Sequence, residues 1–254
     1  MRTQAIWWVG IFLDGLILFR SCCWKMRSEY PFFYSYVAAT FLTSGLLFLV
    51  YRFLPSDYQY LYWTTDFVTL VVGCGVMLEI VKHALDPYAG AERFGRWAVV
   101  TVFAATFAYV CLREIIVPGW SPAASTVELE RDLRVVQALI LFALLFVIFH
   151  YRIALGRNLK GMVVGYGMYI AASLMSLALR SYSGSILDAV WKTIQPFSYD
   201  AAVAIWAIAL WSYSPSPNPI PNAAALANDY ESLVSRTRGM LGAMRSLLGK
   251  AARP

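Results

Sequence analysis

The 254-residue chain is 59% hydrophobic and only 14% charged, whereas a soluble domain averages about 25% charged residues. Repeated apolar runs near 20 residues therefore exclude a soluble globular protein and predict a multi-span membrane protein. The net charge of +6 gives no support for nucleic-acid binding, because membrane topology accounts for the placement of the basic residues. The four cysteines form no CxxC pattern, so neither a metal site nor dithiol chemistry is expected.

Seven apolar segments predict an all-α bundle of seven transmembrane helices within residues 1–214. Their approximate ranges are 4–20, 32–53, 60–84, 97–117, 130–152, 160–181 and 190–213. The first segment is interpreted as a retained span, because no small-residue cleavage pattern follows it. Pro196 lies inside the last segment, where it either kinks a long helix or starts the true span.

Basic residues orient the predicted bundle. The loops after spans one, three and five, together with the C-terminal tail, hold 14 of the 21 Lys and Arg residues. Cytoplasmic loops of membrane proteins carry an excess of Lys and Arg. The N-terminus is therefore expected outside the membrane and the C-terminus in the cytoplasm.

The third span carries two acids, Asp66 and Glu79, within an otherwise apolar stretch. An ionisable side chain at bilayer depth costs about 2.5–3.5 kcal/mol on insertion scales, so it should face protein or water and not lipid. This helix is therefore expected inside the bundle.

Ionisable residues near the outer ends of several spans predict an outward-facing ligand pocket. The expected ligand-binding residues are Asp66, Glu114, Arg131, Arg134, Arg180 and Asp200. Two plainer interpretations remain: Glu130 and Arg134 can pair along a solvated helix end, and Arg180 can extend to the membrane interface. We predict a direct pair between Asp66 and Arg180, with Arg131 or Arg134 as the alternative partner of Asp66.

A second polar cluster is expected at the cytoplasmic end, from Glu79, His83 and His150. His83 follows Glu79 by four residues, so an ion pair or hydrogen bond along the helix accounts for it. Two histidines are too few for an intramembrane zinc hydrolase, which needs about three ligands around one open site. The last span has no central lysine for a retinal Schiff base. No catalytic residue, metal ligand or cofactor is therefore expected.

Small residues follow one face of the sixth span, at Gly161, Gly165, Ala172 and Ser176. Small faces let helices approach closely in lipid. This face is therefore expected to pack against a neighbouring helix, and the same row continues outward to Arg180.

The chain ends in two further segments. Residues 215–221 are a stiff, proline-rich linker, and residues 222–254 form an amphipathic helix with five basic residues against two acids. This helix is expected either to lie on anionic lipid or to form a short coiled coil with a partner. The basic residues, and Thr237 within its apolar stripe, favour lipid.

The segments PFFYSY, VELERDLRVVQAL and SLALRSY resemble those of uncharacterised bacterial seven-span proteins. The architecture resembles the seven-transmembrane sensory modules of bacterial receptors. This resemblance implies a non-enzymatic sensory or accessory protein of the bacterial inner membrane, with output through the tail helix, an unidentified partner or a homo-oligomer. The alternative is a small solute or proton-coupled transporter with Asp66 and Glu79 along its path, although the paired Gly/Pro breaks of broken-helix transporters are missing.

Overall fold

Lipid offers no hydrogen-bond partner to a backbone N–H or C=O group, so an apolar chain satisfies these groups best within a helix. The computed structural model follows this rule, because the residues that it describes form helices and their connections, with no strand among them. The described residues are 2–22, 26–86, 88–116, 122–182, 184–212, 214, 228, 231–232, 234–237 and 239–240. The side chains of some helix residues in these ranges, Glu114 and Arg180 among them, lie outside the description.

Seven long helices and one short helix follow each other in the described part of the chain. They are α1 (Arg2–Cys22), α2 (Met26–Glu29), α3 (Pro31–Phe53), α4 (Tyr58–Leu85), α5 (Ala89–Ile116), α6 (Pro122–Tyr151), α7 (Arg157–Tyr182) and α8 (Gly184–Ala209). Each of the seven long helices overlaps one of the seven predicted segments. The short helix α2 was not predicted.

Among the described residues, four of these helices are long enough and apolar enough to cross a membrane. The four candidate spans are Pro31–Phe53, Tyr58–Leu85, Gly90–Arg113 and Leu129–His150. Within α8, the apolar stretch Pro196–Ala209 is shorter. Helices of this length and hydropathy are typical of a membrane protein.

Six of the long helices form a closed ring. In the order α1, α3, α4, α6, α7 and α8, each packs against the next, and α8 returns to α1. α5 packs outside this ring, against α4 and α6. Consecutive long helices run in opposite directions, so α1 begins at one end of the bundle and α8 finishes at the other. We call these the N-terminal end and the C-terminal end.

The pairing of α7 with α8 depends on small residues. A Cβ atom added at Gly161 or Gly165 of α7 would collide with Ala209 or Trp206 of α8. Trp206 is wholly buried, and its Nε1 donates to the Met162 carbonyl oxygen at 3.4 Å. The predicted close approach along the small-residue face of this helix is thus confirmed for the two glycines.

Three helices begin well before their predicted starts. α5 begins at Ala89, eight residues before the predicted start near residue 97. α6 begins at Pro122, well before the predicted start near residue 130, because the first turn of a helix tolerates proline. α8 begins at Gly184, passes through Pro196 and ends at Ala209. Of the two alternatives for Pro196, the structure therefore shows a proline within a long helix.

α6 ends in a left-handed residue. Arg152 has a φ of 52°, and the Ile153 N–H donates to the Ile148 carbonyl oxygen at 2.9 Å. This is the Schellman arrangement, in which glycine usually occupies the left-handed position. An arginine there carries a conformational cost that glycine would avoid.

Basic side chains from α1 and α7 hold the segment that follows α8. Arg20 Nε donates to the Trp211 carbonyl oxygen at 3.2 Å, and its guanidinium lies 5.2 Å from the centroid of that indole. Arg157 Nη2 donates to the Ser212 carbonyl oxygen at 3.0 Å. Cations near a helix C-terminus also interact favourably with the negative end of the helix dipole. The tail at 222–254 lies mostly outside the described residues, so its helix stays a prediction.

Candidate functional site

Polar side chains from all six ring helices meet inside the ring. Asp14, Arg134, Gln137 and Ser173 are each at most 3% exposed. Buried charged and polar groups are costly in a membrane protein and mark functional sites. What we name the interior polar cluster comprises Asp14, Tyr36, Thr40, Cys74, Arg134, Gln137, Tyr166, Tyr169, Ser173 and Tyr199.

Arg134 of α6 forms one side of the interior polar cluster. Its Nη2 donates to the Tyr169 hydroxyl at 3.1 Å, and its guanidinium lies 4.7 Å from the centroid of the same ring. Its Nη1 donates to Gln137 Oε1 at 3.4 Å. One turn earlier, Glu130 places a carboxylate oxygen 3.8 Å from Arg134 Nε. The predicted Glu130–Arg134 pair is confirmed, but the interpretation of a solvated helix end is wrong for Arg134, which is buried.

Asp14 of α1 forms the opposite side. The Tyr199 hydroxyl lies 3.1 Å from both carboxylate oxygens of Asp14 and 2.9 Å from Thr40 Oγ1. Thr40 Oγ1 in turn lies 3.4 Å from Asp14. Each hydroxyl can donate to one acceptor at a time, so this group can exchange hydrogen-bond donors without moving its heavy atoms.

Tyrosines connect the two sides. The rings of Tyr169 and Tyr199 lie 5.6 Å apart, and those of Tyr36 and Tyr166 lie 6.2 Å apart. The Tyr166 hydroxyl donates to the Gly73 carbonyl oxygen at 2.7 Å. A Cβ at Gly73 would lie only 2.9 Å from that hydroxyl, so the contact requires glycine. The cluster therefore extends without interruption from α1 to α4.

Three buried polar atoms of the described residues lack a hydrogen-bond partner: Tyr36 Oη, Arg134 Nε and Ser173 Oγ. Arg134 lies over Tyr169, and Ser173 follows Tyr169 by one turn. An unsatisfied buried group costs about 1–3 kcal/mol and calls for an explanation in a native structure. The centre of the cluster thus keeps hydrogen-bonding capacity that its own side chains do not use.

The structure brings three of the six predicted pocket residues to this region. Arg134 is central to the cluster. Asp66 is partly buried, and the charged side chains that act on it electrostatically are Glu130 and Arg134. Asp200 is partly buried directly after Tyr199 on α8 and acts electrostatically on Asp14.

The other predicted site residues lie elsewhere or are not described. Arg131 has a side chain that is 53% exposed and pairs with the next residue at 3.2 Å, so it does not join the cluster. The side chains of Glu114 and Arg180 lie outside the described residues, and the Asp66–Arg180 pair therefore stays a prediction. His150 is exposed and stacks on an aromatic ring of its own helix, 5.8 Å between centroids.

Glu79 is a helix cap. Its two carboxylate oxygens accept the backbone N–H groups of Phe32 at 3.1 Å and Phe33 at 2.8 Å, in the first turn of α3. His83 Nδ1 lies 2.9 Å from the Glu79 backbone carbonyl oxygen, and its ring lies 4.7 Å from that of Tyr30. The predicted hydrogen bond between His83 and Glu79 is present, but it involves the backbone and not the carboxylate.

Several residues of the cluster escaped the sequence reasoning. Asp14, Gln137 and Tyr199 were not among the predicted site residues. A signal did exist: Gln137 follows Arg134 by three residues, and Tyr169 follows Tyr166 by three, so each pair lies on one helix face. Within the described residues, no three His, Cys, Asp or Glu side chains come together as metal ligands.

Comparisons with protein-family models, with curated proteins and with solved structures give no match. The resemblance to seven-transmembrane sensory modules stays an expectation. The function therefore has to be inferred from the geometry of the interior polar cluster.

Proposed function

We propose that the protein is a non-enzymatic sensory or accessory protein of a bacterial inner membrane, and that its interior polar cluster binds a small polar ligand from outside. In this proposal all seven long helices span the bilayer, with the N-terminus outside and the C-terminus in the cytoplasm. The 14 of 21 basic residues in the loops and tail assigned to the cytoplasm support this orientation. The signal leaves through the tail helix on anionic lipid, a partner chain or a second copy.

Arg134 is the observation that carries the proposal. It is a cation with 3% exposure, and its carboxylate neighbour lies at 3.8 Å, beyond hydrogen-bond distance from Nε. Such a buried donor is stabilised by a strong acceptor. A ligand with a carboxylate or a similar acceptor would supply the hydrogen-bond partner that Arg134 Nε lacks.

Partly buried acids support entry from the N-terminal end. Asp66 and Glu130 lie eight residues after the starts of α4 and α6, which is about 12 Å of helix at about 1.5 Å per residue. They stand between that end of the bundle and Arg134. Their charges attract water and polar solutes to a route that lipid would not line.

Cysteine labelling tests the outward opening. In a variant whose native cysteines are replaced by alanine, Asp66→Cys should react with a membrane-impermeant methanethiosulfonate added outside intact cells. The matched control is Phe142→Cys, at a side chain of α6 that is 72% exposed on the bundle surface. A thiol facing lipid should stay unmodified. Labelling of Asp66→Cys from the cytoplasmic side alone would contradict the proposal.

Reporter fusions test the orientation separately. Green fluorescent protein fused after Tyr213 should fluoresce, and alkaline phosphatase fused at the same residue should be inactive. The reverse result would place the C-terminus outside and overturn the proposed topology.

A transporter is the second candidate, and the contacts of Asp14 favour it. A buried acid with two hydroxyls within 3.4 Å can load and release a proton along a short relay. Glu79, which was predicted on such a path, instead accepts two backbone N–H groups of α3. Asp14 is therefore the acid to test.

Proton flux into proteoliposomes that contain a pH-sensitive dye separates the two functions. A sensor should give the leak of empty liposomes. A proton-coupled transporter should give a flux that Asp14→Asn abolishes, while Asp132→Asn, which alters an acid outside the cluster, retains it. A flux of this kind would contradict the sensory function and support a proton-coupled transporter.

A further inference from the structure

A second site lies at the C-terminal end of the bundle, away from the interior polar cluster. A cleft of about 400 Å³ opens where α3 begins, α4 finishes and α5 begins. Its polar lining comes from Ser28, Glu29, Glu79, Lys82 and Arg96. None of these side chains belongs to the interior polar cluster, and the proposed sensory function does not use them.

The cleft has a charged part and an apolar part. Lys82 is exposed, and Arg96 keeps a side chain that is 49% exposed while it pairs with Glu92 at 3.5 Å. The apolar part includes Phe32 and Trp97, which are 51% and 63% exposed. A cleft with both parts matches a molecule that has a charged head and a hydrocarbon body.

The helix ends place this cleft at the level of lipid headgroups. Lys82 lies three residues before the end of α4 at Leu85, and Arg96 lies near the start of the candidate span Gly90–Arg113. Lysine, arginine and tryptophan at such positions typically sit at the boundary between hydrocarbon and water. Basic pockets between helices at this level bind phospholipid headgroups.

The charges around the cleft include both signs. Lys82 and Arg96 are cations, and Glu29 and Glu79 are acids. The Glu79 carboxylate is engaged by two backbone N–H groups. Arg96 also pairs with Glu92, so the cations at the cleft are not in excess over the acids, which complements a zwitterionic headgroup better than a singly anionic one.

We infer that the cleft binds one phosphatidylethanolamine molecule. Lys82 and Arg96 hold its phosphate, the Glu29 carboxylate accepts from its ammonium group, and its acyl chains lie along Phe32 and the apolar wall of α4 and α5. A phosphate held by two cations forms charge-assisted hydrogen bonds. The short helix α2, which ends at Glu29, is thereby tied to α4 and α5 through the lipid.

Lipid titration followed by native mass spectrometry tests this inference on the full chain in a mild detergent. The wild-type protein should bind one phosphatidylethanolamine in preference to phosphatidylglycerol. The double variant Lys82→Gln/Arg96→Gln should bind it about 30-fold more weakly, which is about 2 kcal/mol for the loss of two cations near the headgroup. Glu29→Gln should retain phosphate binding and lose the preference for ethanolamine.

Arg93→Gln is the matched control, because Arg93 is an exposed cation at the same end of α5 that does not line the cleft. Its lipid binding should equal that of the wild type. Lys82→Arg, which keeps the charge, should also bind, and thermal unfolding without lipid checks that each variant is folded. Equal binding by the double variant would overturn the inference. A preference for phosphatidylglycerol over phosphatidylethanolamine would also overturn it. So would an increase in melting temperature with inorganic phosphate that equals the increase with phosphatidylethanolamine.

Discussion

Removing the Glu79 carboxylate should destabilise the protein through the backbone of another helix. Pro31 begins α3 and has no N–H, so the first two free donors of this helix are those of Phe32 and Phe33. Glu79 satisfies both of them, from a position that is 4% exposed. A negative charge at a helix N-terminus also interacts favourably with the helix dipole.

The size of the effect follows from the two hydrogen bonds. A buried donor without a partner costs about 1–3 kcal/mol, so Glu79→Ala should cost about 2–6 kcal/mol in free energy of unfolding. Because a melting temperature shifts by about 2–4 °C per kcal/mol in a protein of this size, we expect a decrease of about 4–24 °C. Glu79→Gln keeps one acceptor oxygen and should lose about half as much.

The assay is thermal unfolding of the delipidated protein in detergent, so that lipid in the cleft makes no contribution. Glu92→Gln is the matched control, since it weakens the partly exposed pair between Glu92 and Arg96, and such a pair is worth at most about 1 kcal/mol. The order of stability should be wild type, Glu79→Gln and Glu79→Ala. A melting temperature for Glu79→Ala equal to that of Glu92→Gln would refute the assignment of Glu79 as the cap of α3.

Three further predictions concern packing, backbone conformation and the tail. Gly165→Ala should lower the melting temperature by the equivalent of about 1–3 kcal/mol of stability, because the added methyl collides with Trp206. Gly45→Ala is the control, because nothing lies within 4 Å of the added methyl. It should raise the melting temperature by the equivalent of about 1 kcal/mol of stability or less. Arg152→Gly should raise the melting temperature by the equivalent of about 1 kcal/mol, because its φ of 52° suits glycine; an unchanged or lower value would contradict the left-handed cap. A peptide of residues 222–254 should become helical on anionic vesicles, with about 1 kcal/mol of attraction per basic residue. If circular dichroism shows the same helicity on neutral and anionic vesicles, the coiled-coil alternative is favoured.

The apolar runs and the helical spacing of residues could be read from the sequence. The seven long helices follow from apolar runs, because each run must satisfy its own backbone hydrogen bonds wherever it meets lipid. The close approach of α7 to α8 followed from Gly161 and Gly165, since two glycines four residues apart lie on one helix face. The pairing of Glu130 with Arg134 followed from the same periodicity.

What the sequence by itself determined is therefore local: helix content, approximate helix bounds and which residues share a face. The tertiary structure alone decided that Arg134 is buried against Tyr169, that Asp14 meets Tyr199, and that Glu79 caps α3. Those contacts join residues 35, 185 and 46 positions apart, and no helical periodicity relates such distant positions. They depend on which helices are neighbours in the ring, and apolar patterning does not specify neighbours because every lipid-spanning helix carries a similar apolar surface.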